Sequence, residues 1–386
     1  MTLKMQKINP VRMATMKCLA VSIVLGAVLT IFMTAAAASE SKRNIPTDAE
    51  VETYAWNFMA ASMESSEIEI CDFIHLYSAD DQLTGYYVTF ENNSIPAGYM
   101  IISLVSGEFP IVEFSFEGEG PIDLCEDDIV TCEDSDGFAE NRILFYGAGE
   151  MYVPLGEGIY FSVYDQNQLE FTDAVAASTE VDLYDGIIDW SESDVDSSTV
   201  FKIKDFGTGT DYWLMEDFGG GSICTPTAAT NILWYWGNMR GCDSIMNKLS
   251  LFSSDTDKAT AIFKILYNAM GTSESGTYDS KIIDGYEAFF DEEAGDGTWS
   301  YKKIANGASY ETYVAALDNN CPVHLVLHTK NGLISKGTGH CVMALGYAES
   351  NTGIEYIFVM DGWNSYGRFV KFDYYPYFFG YKIWVA

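Results

Sequence analysis

Basic side chains are scarce in this sequence. Its 386 residues include 21 Lys and Arg against 56 Asp and Glu, a formal net charge of −35. Because phosphate groups are bound through clustered Lys and Arg, this composition argues against a nucleic-acid-binding protein. The acidic runs are typical of solvated faces.

Histidine is also rare, which limits where acid–base chemistry or metal binding can be built. The four histidines are His75, His324, His328 and His340. Two acidic clusters, at 132–137 and 291–297, carry the oxygen ligands that Ca²⁺ prefers, but neither has the full spacing of a calcium loop. We predict no cofactor and leave calcium at these clusters as an alternative.

The first 38 residues have the pattern of an export signal. Four basic residues lie before the apolar run "CLAVSIVLGAVLTIFMT", which is followed by "AAAA" at 35–38. We predict a signal peptide cleaved near Ala38 and a secreted, extracellular protein of bacterial type. An uncleaved anchor helix is the alternative, although about 17 residues are few for crossing a bilayer. Cleavage would leave 17 basic against 56 acidic residues.

An odd number of cysteines follows this leader. They are Cys71, Cys125, Cys132, Cys224, Cys242, Cys321 and Cys341. In an exported protein an odd number leaves at least one thiol without an intramolecular partner. Cys125 and Cys132 are close enough in sequence to form a small disulfide loop, but the spacing does not prove the pair.

The residue pattern divides the rest of the chain in three. Residues 39–125 combine an amphipathic helix at 48–64 with strands at 83–92, 97–106 and 110–120, a small α+β unit. Residues 126–200 continue in short β-like pieces. These include a hairpin that turns at Gly156 and Gly158, and they end in an acidic, serine-rich linker at 189–200.

The third part, 201–386, is predicted to be a separate α+β domain. A helix at 225–237 is followed by further helical stretches to about 315 and then by five apolar strands. On the first helix, one face is formed by Thr225, Ala228, Ala229, Ile232, Leu233 and Trp236. Pro226 suits its first turn, and Gly237 is predicted to end it.

Cys224 precedes this helix directly, in "GSICTPTAATNILWYWGN". The unpaired amides and the positive end of the helix dipole favour a thiolate there. A thiolate attacks carbonyl carbon, so Cys224 is a candidate nucleophile.

His340 is the best placed base for that nucleophile. It enters an apolar strand from a glycine-rich turn in "GTGHCVMALGYA", and 21 residues later "YIFVMDGWN" ends a strand in Asp361. A carboxylate there could accept from the imidazole and fix its tautomer. Cys224, His340 and Asp361 thus form a predicted nucleophile, base and orienting residue.

These motifs carry a family resemblance over roughly 205–386. "CTPTAATNILWYWG" resembles the Cys-Gly-Pro-Thr-Ala helix start of papain-like cysteine peptidases of the bacteriocin-processing (double-glycine) group, and "GHCVMALGY" with "YIFVMDGWN" resembles their His and Asp strands. The resemblance implies a papain-like fold with a helix packed on an antiparallel sheet. It also implies a Cys224–His340–Asp361 triad acting on peptide or protein substrates, with Asn364 as a fallback for the third role.

The first unit has a weaker resemblance of its own, over about 48–120. "GYYVTFENNSIPAGYMIISLVSGEFPIVEFSFEGEGP" is similar to the propeptide of streptopain-type proteases. This implies an intramolecular, propeptide-like domain that keeps the peptidase latent until the linker is cut.

The sequence departs from the peptidase pattern in two ways. Thr225 replaces the usual glycine, and "WLMEDFGGGSIC" lacks the glutamine that donates to the oxyanion. Losing one such donor costs about 10²- to 10³-fold in rate.

The leading interpretation is a secreted cysteine endopeptidase. The alternatives are a weak or inactive peptidase-like binding or adhesion protein and a thiol acyltransferase on the same fold.

Overall fold

The N-terminal helix forms where its periodicity places it. In the computed structural model, α1 spans Asp48–Ser62 and begins with a capping box between Thr47 and Glu50. Its buried face consists of Val51, Tyr54, Ala55, Phe58, Met59 and Ser62. The helix predicted at 48–64 is therefore confirmed.

The structure describes most of the chain beyond the leader. The described residues are 46–105, 111–125, 142–147, 150–156, 158–164, 167–170, 200–204, 211–291, 294–295, 297–328, 339–363 and 365–386. The predicted signal peptide, the cluster 132–137 with Cys132, part of 291–297, Asn364 and all but Val200 of the linker lie outside them. Among the described helices, none is long and apolar enough to cross a membrane.

Eight strands follow α1 in the described part of the N-terminal half. They are β1 (Ile68–Tyr77), β2 (Leu83–Asn92), β3 (Ile95–Ser103), β4 (Ile111–Ser115), β5 (Ile143–Gly147), β6 (Glu150–Gly156), β7 (Ile159–Ser162) and β8 (Asn167–Glu170). The hairpin predicted at Gly156 and Gly158 is confirmed by the pairing of β6 with β7. We did not predict β1, whose pairing is interrupted between Ile70 and Phe73 and whose exposed and buried residues do not alternate.

The C-terminal half begins with one short strand and a group of helices. These are β9 (Phe201–Lys202), α2 (Cys224–Trp234), α3 (Asp243–Met246), α4 (Asp255–Ala269), α5 (Ile282–Phe290) and α6 (Tyr310–Leu317). The strands are β10 (Trp299–Ile304), β11 (Val323–His328), β12 (Gly339–Glu349), β13 (Glu355–Met360), β14 (Arg368–Lys371) and β15 (Tyr377–Val385).

The predicted end of α2 at Gly237 is wrong. The helix continues through a π-helical turn, Tyr235–Met239. A Cβ atom at residue 237 would lie 2.6 Å from Cγ2 of Ile245. The glycine therefore serves close packing against α3, and not helix termination.

Both halves share one sheet. Its strand order is β10-β15-β11-β12-β13-β14-β4-β3-β2-β1-β5-β6-β7-β8, with β9 beside β12. Of these pairs, β1 with β5 is parallel and the others are antiparallel. This α+β architecture, with a large and mostly antiparallel sheet, is compatible with a papain-like peptidase. The domain boundaries near 125 and 200 stay predictions.

Strands β4 and β14 join the two halves, with Phe114 opposite Phe369. The two rings stack at 5.0 Å, and the Phe114 ring meets Tyr356 edge-on at the same distance. In addition, the Ser115 hydroxyl donates to the Gly367 carbonyl over 2.9 Å. The junction is thus a buried aromatic core and not a solvated contact.

We expect Phe114→Ala to lower the free energy of unfolding by about 3–5 kcal/mol, because it leaves a cavity at this junction. Urea titration followed by tryptophan fluorescence checks this, since six of the eight Trp residues lie beyond residue 200. Ile95→Ala is the control, because Ile95 is 67% exposed. An unchanged midpoint for Phe114→Ala would mean that the halves unfold independently.

Candidate active site

The candidate nucleophile is the first residue of α2. Ile223 forms the N-cap without a side-chain hydrogen bond, and Pro226 occupies the first turn, as predicted. The preceding Gly219, Gly220 and Gly221 all have positive φ. This left-handed backbone suits glycine and lets the chain turn sharply into the helix.

The sulfur of Cys224 lies at the start of strand β12. The backbone N–H of Cys341 points at Cys224 Sγ over 3.5 Å. A hydrogen bond with the Cys341 thiol lowers the pKa of Cys224 most strongly; burial opposes this, and the hydrogen bond and charge of His340 lower it further. The pKa of Cys224 is held well below its ordinary value, so the thiolate is the favoured form.

His340 is oriented by its other ring nitrogen. Its Nε2 donates to the backbone carbonyl of Asp361 over 2.9 Å, which leaves Nδ1 for Cys224. The Trp363 ring stacks on the imidazole with centroids 3.9 Å apart and planes 6° apart. Stacking on one face and a fixed hydrogen bond at one edge leave the ring little freedom.

Asp361 therefore contacts His340 through its backbone carbonyl. Its carboxylate accepts from the Trp363 backbone N–H over 2.8 Å and lies 3.1 Å from Arg368 Nε. The predicted role of the carboxylate in orienting the imidazole stays a prediction. Asn364, the fallback residue, is outside the described residues.

A second carboxylate completes a buried ionic cluster. Arg368 Nη1 lies 2.5 Å from Glu113 Oε1, and the Tyr99 hydroxyl donates to the same oxygen over 2.6 Å. Burial lowers the pKa of Arg368, but Glu113 and Asp361 outweigh it and raise that pKa well above its usual value. The guanidinium is thus a permanent cation between a strand of the N-terminal half and the end of β13.

The remaining histidines have other partners. His324 is completely buried, its Nδ1 lies 3.1 Å from the Tyr286 hydroxyl, and burial lowers its pKa to about 4. His328 pairs with Asp279 over 3.0 Å and His75 with Asp48 over 2.8 Å. His324 is therefore neutral, and His75 and His328 are each hydrogen-bonded to an aspartate.

A cleft of about 570 Å³ adjoins Trp363. Both halves of the chain line it, with Ile95, Pro96, Gly118, Glu119 and Leu124 on one side and Leu214, Met215, Glu216, Gly362, Trp363, Ser365 and Tyr366 on the other. Its lining mixes apolar side chains with polar groups, and two exposed carboxylates, Glu119 and Glu216, lie at its edges. A second cleft, of about 420 Å³, contains none of the candidate active-site residues.

Metal chemistry finds no support in the described part of the chain. Among those residues, no group of three or more His, Cys, Asp or Glu is arranged to hold a metal ion. The site is a thiol–imidazole pair on a helix start and a strand start.

A comparison with known protein families finds a match in the C-terminal half. Residues 210–377 match the model of the Peptidase_C39 like family, and this match supports a C39-type cysteine peptidase. No curated protein matches the chain. The matched segment includes Cys224, His340 and Asp361 but not the N-terminal half.

Sequence reasoning missed Cys341, Trp363 and the Glu113–Arg368 pair. The available signals were a second thiol next to His340, an aromatic residue after Asp-Gly, a glutamate inside the apolar run "PIVEFSF" and an arginine at the start of "RFVKF". A charge inside an alternating apolar strand is rarely buried without a partner.

We expect iodoacetamide to alkylate Cys224 rapidly even at about pH 6, because its pKa is held below that of an ordinary thiol. Cys242 is the internal control, since burial raises its pKa although it is partly exposed. Mass spectrometry of the two peptides measures both rates. Equal alkylation rates at that pH would contradict a stabilised thiolate.

Proposed function

We propose that the protein is an exported cysteine peptidase in which Cys224 and His340 hydrolyse peptide bonds. The observation that carries the proposal is the contact of a low-pKa thiol with an imidazole that is already hydrogen-bonded and stacked. Export is proposed from the leader pattern at 1–38 and from the acidic composition.

The acylation step follows from the charges of Cys224 and His340. The Cys224 thiolate attacks the peptide carbonyl carbon, and the imidazolium of His340 gives its Nδ1 proton to the leaving amine. The C–N bond breaks and a thioester remains on Cys224. Asp361 supports this step by accepting from Nε2, since a carbonyl acceptor stabilises the charged ring.

Deacylation uses the same ring as a base. Neutral His340 takes a proton from water, the hydroxide oxygen attacks the thioester carbon, and the Cys224 thiolate leaves. The acid product departs and the thiolate–imidazolium pair is restored. The stacked Trp363 ring shields the His340 hydrogen bond to Asp361 from competing water.

The oxyanion has one evident donor, the backbone N–H of Cys224. As the first amide of α2 it has no acceptor within the helix. The segment 211–223 contains no glutamine to supply a second donor, and Phe218 from that segment stacks on Phe263 at 4.1 Å. This departure favours low turnover, which is why the inactive binding protein stays the second candidate.

We propose that substrate reaches His340 along the cleft beside Trp363. Its mixed apolar and polar lining suits a peptide, and Glu119 and Glu216 at its exposed edges favour neutral or basic residues there. The formal net charge of −35 acts in the same direction.

We expect His340→Ala to reduce turnover of a peptide substrate by about 10²- to 10⁴-fold, because it removes the acid and base of both steps. The matched control is His328→Ala, which removes a histidine that is hydrogen-bonded to Asp279 instead of to the Cys224 site. Rates are measured on the full-length protein, with circular dichroism to verify folding. Unchanged turnover in folded His340→Ala would rule out this role.

A thiol-reactive peptide probe separates the alternatives. Labelling of wild type but not of Cys224→Ala supports a thiol enzyme, and labelling without turnover supports the inactive binding protein. With an amine acceptor present, the mass of the product then distinguishes a peptidase from an acyltransferase, since only the latter joins the acyl group to the amine.

We also propose that the N-terminal half supports the active site. Glu113 holds Arg368, Arg368 holds Asp361, and Asp361 contacts both His340 and the Trp363 backbone. Glu113, Arg368 and Asp361 are buried, so loss of Glu113 leaves a desolvated cation with one carboxylate fewer. Glu113 and Arg368 are positioning residues in this proposal.

We expect Glu113→Gln to destabilise the protein by about 3–5 kcal/mol, the cost of breaking a buried ion pair. At a temperature where the variant is still fully folded, kcat should fall by a larger factor than KM rises, because Asp361 contacts the imidazole directly and affects the cleft only through Trp363. The control is Glu117→Gln, an exposed carboxylate beside the same strand. A normal kcat in folded Glu113→Gln would contradict the positioning role.

Latency of a proform remains the alternative role for the N-terminal half. A chain beginning near residue 200 distinguishes the two, because it lacks both Glu113 and β4. Lower activity than the full chain supports positioning, whereas higher activity supports a latent proform.

A further inference from the structure

A second thiol lies against the candidate nucleophile. The backbone N–H of Cys341 is 3.5 Å from Cys224 Sγ, and the hydroxyl of Thr225, the residue after Cys224, donates to Cys341 Sγ over 3.2 Å. Neither cysteine is in a disulfide. Two reduced sulfurs from α2 and β12 are thus neighbours in the same small volume.

The two thiols differ in access. Cys224 is partly buried but still accessible, whereas Cys341 is only 5% exposed and faces the core. A reagent in solution therefore meets Cys224 first. Any chemistry at Cys341 then proceeds through Cys224.

The two thiols also differ in charge. The pKa of Cys224 is held low. The pKa of Cys341 is raised well above its usual value by the hydrogen bond to Cys224, by burial and by the charge of Cys224. One sulfur is a thiolate and the other keeps its proton. This is the arrangement needed for an attacking thiol and a resolving thiol.

We propose that Cys224 and Cys341 form a thiol-modification site that takes small disulfides and closes reversibly to a Cys224–Cys341 disulfide. Its consequence for hydrolysis rests on the proposed function, because oxidation would remove the nucleophile. The disulfide chemistry itself does not depend on peptidase activity.

The first step forms a mixed disulfide. The Cys224 thiolate attacks one sulfur of a small disulfide RSSR, the S–S bond of the reagent breaks, and RS⁻ leaves. Cys224 now carries –SR and has lost its negative charge. The reagent has supplied the oxidising equivalents.

The second step is favoured by the first. The lost charge of Cys224 and its hydrogen bond were causes of the high pKa of Cys341, so the Cys341 thiol ionises more readily after Cys224 has reacted. Its sulfur attacks Cys224 Sγ, the mixed disulfide breaks, and the second R group leaves as a thiol. In sum, two protein thiols are oxidised to one disulfide and one RSSR is reduced to two RSH.

Closing the bond requires movement at both cysteines. The S–S bond is about 2.05 Å long, so the sulfurs must approach each other, and the hydrogen bond from Thr225 to Cys341 is given up. Side-chain rotation at the two cysteines is the smallest change that achieves this. A thiol reductant reverses the reaction by attacking the same bond.

The test treats the full-length protein with oxidised glutathione, alkylates the remaining thiols and maps the peptides by mass spectrometry. We expect the peptides of Cys224 and Cys341 to be joined, with no glutathione retained, and dithiothreitol to separate them. A stable glutathione adduct on Cys224, without the crosslink, would overturn the proposal. This wild-type result needs no variant.

Variants then assign the roles. We expect Cys341→Ala to keep one glutathione on Cys224, and Cys341→Ser to do the same if alanine disturbs the packing. The matched control is Cys321→Ala, because Cys321 is a buried thiol whose Sγ instead donates to the Ile383 carbonyl over 3.3 Å. That variant should crosslink like wild type, and loss of the crosslink in it would count against the Cys224–Cys341 pair.

The readouts separate this proposal from the proposed function. A crosslink in a protein without turnover would retain the modification site and remove the peptidase. Turnover that is blocked only by a glutathione adduct would retain the peptidase and remove Cys341 as the resolving cysteine.

Discussion

The buried guanidinium of Arg368 is the interaction on which the rest of the site depends. Taking a cation out of water costs several kcal/mol even after relaxation, and Arg368 is 1% exposed. It is tolerated because Glu113 and Asp361 both lie against it. The same Asp361 presents its carbonyl to His340, so the charge balance of the core and the orientation of the imidazole are set together.

The charge on Cys224 depends on opposing effects on the pKa of its thiol. Burial disfavours the charged sulfur of Cys224, and the Cys341 thiol and His340 more than compensate for it. The group that contributes most to this stabilisation is itself an oxidisable thiol. The contact that activates the nucleophile therefore also brings it next to a partner for a disulfide, so reactivity and sensitivity to oxidants share one cause.

Sequence periodicity and motif order predicted the parts of the site that depend on local chemistry. The helix start at Cys224 and the strand entry at His340 have local signals, a proline in the first turn and a glycine-rich turn. Cys341 was missed because neighbouring residues of a strand normally point to opposite faces. At the first residues of β12, however, the backbone N–H of Cys341 faces Cys224 while the His340 ring turns toward Asp361.

The continuous sheet could not be predicted from local patterns, because β4 and β14 pair across about 255 residues of sequence. Its physical effect is to make the N-terminal half costly to remove. Separation would expose the hydrogen-bonding edge of β14 and separate the stacked rings of Phe114 and Phe369. It would also leave the buried Arg368 with one carboxylate instead of two. An inhibitory segment that is shed after a cut in the linker must dissociate from the peptidase, which a shared sheet opposes. The buried and charged contact seen here instead favours a half that stays in place and holds the imidazole.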